Sequence, residues 1–158
     1  MEQIYQTYLN IIKNICTDSN NPVSVTPEQL PALANLAQEH CTVPFVLPCL
    51  RSASVYPSMK HQVKEMMLNY YQIEHFTQTT VSLLRENHID CYLLKGLSLA
   101  DCYPVPEYRK LGDLDLYLAE PEMLSQAQTV LDALLRGVDR SGVRIVTECK
   151  IEKAERSN

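Results

Sequence analysis

No window of about eighteen or more consecutive apolar residues occurs in this chain, so no membrane-spanning helix is written in it. The N-terminus, MEQIYQTYLNIIKNICTDSN, lacks the basic start and continuous apolar run of a secretion signal and is amphipathic instead. Both absences lead to the expectation of a cytoplasmic protein. A basic excess is missing too: fourteen Lys and Arg stand against nineteen Asp and Glu, a formal net charge of -5. That balance excludes the broad positive field of a nucleic-acid coat protein and leaves room for a local basic site. There is no Cys-x-x-Cys. The six cysteines (Cys16, Cys41, Cys49, Cys91, Cys102, Cys149) are scattered, and the four histidines (His40, His61, His75, His88) show no ligand spacing with them. His40 and Cys41 are adjacent, and neighbours on a helix diverge by about 100°, which makes a poor chelate. Reduced, mostly buried thiols are therefore expected. Internal repeats and low-complexity tracts are absent as well.

What is present suits one modest domain, or one domain with a helical appendage: 158 residues, of which 46% are hydrophobic. Ile4, Tyr8, Ile11, Ile12 and Ile15 recur at helical spacing, and the helix they define should stop near TDSNNP. A second helix starts at TPEQLPALANLAQEH, where Thr26 can cap, Pro27 suits the first helical position, and Gln29 completes a capping box. Pro44, Pro48 and Pro57 limit the next piece to short helix. From Met59 to Asn87 there is neither Gly nor Pro. Met66, Tyr70, Ile73, Phe76, Thr80, Leu83 and Leu84 repeat along that stretch, which predicts one long helix with a packing face.

After that helix the period changes. IDCYLLK reads as a strand, DLDLYL alternates strictly and reads as another, and Leu97 to Cys102 suit a short helix between them. EPEMLSQAQTVLDALL is helical again, and VRIVTECKI alternates as a third strand would. The order predicts an α+β fold: a helical N-terminal region over residues 1–86, then a strand-helix-strand-helix core with a short mixed sheet over residues 87–158. From Arg136 onward six basic and four acidic residues reverse the charge balance of the rest, and EKAERSN has the character of a solvated end.

Chemistry concentrates in LLKGLSLADCYPVPEYRKLGDLDLYL. Side chains two apart on a strand share a face, so Asp113 and Asp115 would present paired carboxylates. Such a pair repels itself unless a cation stands between, and Mg2+ accepts one or two carboxylates while keeping positions for water and phosphate. The Lys95-Gly96 element offers the complement: a glycine where strand meets helix allows close backbone approach to a phosphate, with free amides following. Lys95 and Arg109 could add charge-assisted bonds to phosphate oxygens and Ser98 a hydroxyl. An Asp-x-Asp or a Lys-Gly alone is more often a solvated strand end; it is their combination that marks a site.

On Lys95, Gly96, Tyr103, Arg109, Gly112, Asp113 and Asp115, the stretch resembles the nucleotidyltransferase superfamily to which polymerase beta belongs, and within it a poorly characterised bacterial branch. The resemblance implies that Asp113 and Asp115 bind catalytic Mg2+ and that Gly96 holds the triphosphate of a nucleoside triphosphate. A nucleoside monophosphate would pass to a hydroxyl acceptor that the sequence does not name. The superfamily's Gly-Ser or Gly-Gly pair is replaced here by Lys95-Gly96-Leu97-Ser98. Active members also carry a third carboxylate on a later strand, for which Glu148 is the positional candidate. The chain ends where the resemblance calls for more, so a truncated domain, impaired in catalysis, is expected. A non-catalytic nucleotide-binding module, or a protein-interaction module working through the N-terminal helices, stands as the alternative.

Overall fold

The computed structural model of the chain describes residues 2–19, 21–134 and 143–146. They form an α+β fold, mostly helical, with a small mixed sheet. Two compact units divide it: Met1–Gln72 with Leu99–Leu111, and Ile73–Ser98 with Gly112–Asn158.

In the first unit, α1 (Glu2–Cys16) buries Tyr8 and Ile11 and packs Ile4, Ile12 and Ile15 at the margin of the same core, the face that its spacing predicts. It ends at the polar punctuation, where the Thr17 hydroxyl donates to the Lys13 carbonyl at 2.8 Å and Asp18 turns left-handed at φ 48°. At the next start, the Thr26 N–H donates to Gln29 Oε1 at 3.0 Å, and Pro27 opens a 3₁₀ turn leading into α2 (Leu30–Glu39). Pro31 falls in the first turn of α2, where no amide is needed. The buried residues of α2 are Leu30, Leu33, Ala34, Leu36 and Ala37. Then α3 (Val43–Val46) and a 3₁₀ turn (Leu47–Leu50) each carry a proline near their start, as short inter-proline helices should. The Tyr8 hydroxyl and Thr42 Oγ1 meet at 2.8 Å, joining α1 to the turn before α3.

The long helix is α4 (Tyr56–Glu86), 31 residues, longer than the two dozen or so that the repeat suggests because Pro57 sits harmlessly in its first turn. Its Met59 and Val63 belong to the first core. Further along, Phe76, Val81 and Leu84 pack in the second. His88, left-handed at φ 59°, ends it: the Ile89 N–H reaches back to the Leu84 carbonyl at 2.9 Å and Ile89 itself is fully buried.

The second unit holds β1 (Cys91–Leu94), β2 (Leu114–Leu118), α5 (Leu124–Leu134) and β3 (Val143–Val146). Strand order is β1-β2-β3, with β1 antiparallel and β3 parallel to β2. In the β1–β2 ladder Cys91 faces Leu118, Tyr92 faces Tyr117, Leu93 faces Leu116 and Leu94 faces Asp115. Alternation therefore sends Cys91, Leu93, Leu114, Leu116 and Leu118 to one face, where they join Leu84, Ala127 and Leu131 in a core. Tyr92, Leu94, Asp115 and Tyr117 take the other face. Of the strand expected at VRIVTECKI, only residues 143–146 are described; Glu148, Cys149 and the expected solvated end lie outside the described residues.

The thiols correct one expectation. Among the described cysteines Cys16, Cys41 and Cys102 are exposed, Cys49 is half-buried and Cys91 is buried. The exposed three sit at helix ends, Cys41 in a left-handed turn at φ 54°; there the backbone path rather than apolarity sets a side chain's position. Burial raises the thiol pKa of both Cys49 and Cys91.

Candidate functional site

At the end of β1 two successive residues, Lys95 (φ 52°) and Gly96 (φ 38°), take left-handed conformations and turn the chain sharply. For a lysine that conformation costs about 1 kcal/mol or more; glycine is indifferent to it. A Cβ added at Gly96 would lie 3.5 Å from the Asp113 carbonyl oxygen, an ordinary contact. The backbone angle, not crowding, is what asks for glycine here. Ser98 closes the turn from the far side: its N–H donates to the Lys95 carbonyl at 2.8 Å and its hydroxyl donates to the same oxygen. The segment that follows, Gly96–Cys102, is 3₁₀ helix.

This corner meets the two aspartates. Lys95 Nζ lies 3.6 Å from Asp115 Oδ2, with the lysine side chain 67% and the aspartate side chain 10% exposed. A carboxylate so withdrawn from water needs compensating charge, because desolvation of an uncompensated ion costs several kcal/mol. Asp113 lies one residue before β2 and is exposed. The two carboxylates thus differ: Asp115 is in the ladder and nearly enclosed, while Asp113 stands in solvent at its mouth. Among the described residues no group of three or more His, Cys, Asp or Glu could hold a metal ion. Glu148, the positional candidate for a third carboxylate, is outside them.

Lys95, Gly96, Ser98, Asp113 and Asp115 thus gather within the second unit. Arg109 belongs to the first. There its Nη1 donates to the Tyr103 hydroxyl at 3.1 Å, with the guanidinium carbon 5.4 Å from the ring centre. Phe45 packs on Tyr103 and, edge-on at 5.5 Å, on Tyr108. Asn69 Nδ2 donates to the Leu111 carbonyl at 3.1 Å, and the Tyr71 hydroxyl donates to Glu107 Oε1 at 2.6 Å. That last bond, with a backbone hydrogen bond in support, holds the Glu107 pKa below the usual carboxylate value. The connection between the two site strands is thereby built into the helical unit, which local sequence gives no means to foresee.

Two residues that the sequence reading did not single out share the Asp115 face: Tyr117, two positions along β2, and Tyr92, opposite it on β1. Alternation within CYLL and DLDLYL was the signal that could have found them.

In this small mixed sheet Lys95-Gly96 directly follow the first strand, Asp113 directly precedes the second, and Asp115 lies within it. The family comparison agrees with the sequence resemblance: the model of the family described as uncharacterised nucleotidyltransferase matches residues 26–139, well over half of the sequence, and the chain belongs to that family. No curated protein and no solved structure matches the chain.

Proposed function

We propose that this chain performs Mg2+-dependent nucleotidyl transfer, with Asp113 and Asp115 as metal ligands and the Lys95-Gly96 corner as the seat of the triphosphate. In the reaction an acceptor hydroxyl oxygen bonds to the α-phosphorus of a nucleoside triphosphate, the α–β bridging bond breaks, and pyrophosphate leaves. One observation carries the reading: the Lys95 ammonium stands 3.6 Å from Asp115 Oδ2, so the carboxylate already holds a cation, and a Cβ added at Gly96 would lie 3.5 Å from the Asp113 carbonyl oxygen. Two hard oxygen donors, one of them exposed, suit Mg2+, which keeps water and phosphate ligands. When bound, the ion supplies charge neutralisation at the phosphates and activation of the attacking oxygen.

The chain's own groups have distinct parts. Asp115, fixed in the ladder, holds its carboxylate still; Asp113, one residue before the strand, is the exposed one of the two. Lys95 releases Asp115 and turns its ammonium to a phosphate oxygen, a charge-assisted bond. Gly96 lets the backbone come close to that phosphate. Ser98 keeps the corner in shape and offers its hydroxyl at the rim. Arg109, in the first unit, keeps its planar fork on the Tyr103 hydroxyl and ring. The transferase chemistry falls to residues 87–158, and residues 1–86 form the helical N-terminal region.

A second reading, a module that binds nucleotide or a protein without transfer, draws on two facts. The described residues contribute two carboxylates to the site, and α1 exposes Tyr5 (46%) and Leu9 (55%), four apart on one face. One experiment separates the readings. With Mg2+, nucleoside triphosphates should raise the melting temperature of the wild type and leave Asp113→Asn/Asp115→Asn unmoved; transfer of an α-phosphate label to any acceptor then marks an enzyme. Equal stabilisation of the double variant would refute the site.

A further inference from the structure

The tyrosine row beside Asp115 has no part in the chemistry above. On that face of the sheet, Leu94 lies opposite Asp115 and, one row on, Tyr92 lies opposite Tyr117. Residues two apart on a strand are separated by about 6.8 Å. The tyrosine row therefore stands about one ribose length from the aspartate row, on the same side of the backbone. The rings are 6.3 Å apart centre to centre, inclined at 41°, and Tyr92 is 60% exposed. An aromatic ring exposed on a sheet face can stack on a third planar group, the way sheet aromatics take up bases. Apolar packing does not account for Tyr92: the core lies on the opposite face, with Cys91 and Leu93.

We infer that Tyr92 and Tyr117 form the platform for the nucleobase, with Tyr92 stacking on it and Tyr117 fixing the ring of Tyr92 from across the ladder. This rests on the nucleotidyl-transfer reading of Asp113 and Asp115, and it adds a residue-level account of what distinguishes a nucleotide from a bare polyphosphate at this site. The occupant is a planar heteroaromatic base whose phosphates run from the tyrosine row toward Asp115 and the Lys95-Gly96 corner. Stacking reads a π-face rather than a hydrogen-bond pattern, so the platform predicts modest preference among bases.

The chain has no tryptophan, so Tyr92→Trp installs a single indole reporter on this face. Titrating that variant with each of the four ribonucleoside triphosphates and Mg2+ should quench its emission. Inorganic tripolyphosphate with Mg2+ should bind, as calorimetry reads it, without quenching. Tyr92→Ala should weaken nucleoside triphosphate binding about tenfold and leave tripolyphosphate binding as it was, with Tyr92→Phe close to wild type. A Tyr92→Ala loss that is equal for nucleotide and tripolyphosphate, or absent for both, overturns the platform while leaving the phosphate site standing. So does an unquenched indole in a protein that binds nucleotide. If neither tripolyphosphate nor nucleotide binds any variant, the parent reading falls and this one with it. Because Tyr92 is largely exposed and outside the core, its variants should melt with the wild type, which a thermal scan verifies.

Discussion

Replacing Lys95 with methionine isolates the cation that Asp115 already holds. Methionine keeps most of the length of the side chain and makes no new demand on the left-handed backbone at φ 52°. Two unit charges 3.6 Å apart attract by about 1.2 kcal/mol in water and about 5 kcal/mol at an effective dielectric of 20. Lys95 is 67% exposed and Asp115 10%, so solvent screening brings the working value toward the lower limit, about 1–2 kcal/mol. A divalent ion arriving at Asp115 must displace that ammonium. Without nucleotide, Lys95→Met should therefore bind Mn2+ about 5- to 30-fold more tightly than wild type, with the gap narrowing as salt is raised. Titration followed by the electron paramagnetic resonance of free Mn2+ reads this directly. With tripolyphosphate present the sign should reverse, because the variant has lost the ammonium that a phosphate oxygen would take. Metal-free Lys95→Met should also melt below wild type, since Asp115 keeps its burial and loses the Lys95 ammonium, and Mn2+ should restore the difference. Unchanged or weaker Mn2+ binding by Lys95→Met in the absence of phosphate would refute the displacement argument.

Other outcomes test the frame around the site. Thr80 on α4 is fully buried and its hydroxyl has no hydrogen-bond partner among the described residues, in contrast to Thr79, whose hydroxyl donates to the His75 carbonyl at 2.9 Å. Thr80→Val should raise stability to urea by about 1 kcal/mol, because an unsatisfied buried polar group costs about 1–3 kcal/mol; a loss of stability would show that the hydroxyl is satisfied. For Glu107, Tyr71→Phe should move the carboxyl pKa up toward its ordinary value, as a carbon-resolved NMR titration would record. Since the folded pKa is depressed, this bond contributes stability above the unfolded glutamate pKa and loses it as pH falls through the folded pKa. The stability gap between wild type and Tyr71→Phe should therefore close on acidification. A gap independent of pH across that range would remove the ionised carboxylate from the account.

Much of the fold was legible because its signals are local. The helical spacing of Tyr8 and Ile11, the Thr26–Gln29 capping box and the Gly- and Pro-free run through α4 are decided by neighbours within a turn or two, and each is where its spacing put it. The alternation in DLDLYL likewise sends Leu114, Leu116 and Leu118 to one face and Asp115 to the other, a consequence of strand geometry alone. Exposure of Cys16, Cys41 and Cys102 went the other way, since a helix end places a side chain irrespective of its apolarity.

By itself, then, the chain's residue pattern determined which segments are helix and strand, which strand face is apolar, and that lysine, glycine and two aspartates end up close in chain order to two strand ends. Only tertiary structure decided that the Lys95 ammonium reaches Asp115, that Asp113 stays in solvent while Asp115 is enclosed, that Leu99–Leu111 joins the helical unit with Arg109 on Tyr103, and that Tyr92 meets Tyr117. The physical reason is range. Periodicity and capping act within a few residues, whereas burial of a charge, pairing across a ladder and the docking of a connection depend on residues brought together from distant parts of the chain, whose partners no local pattern names.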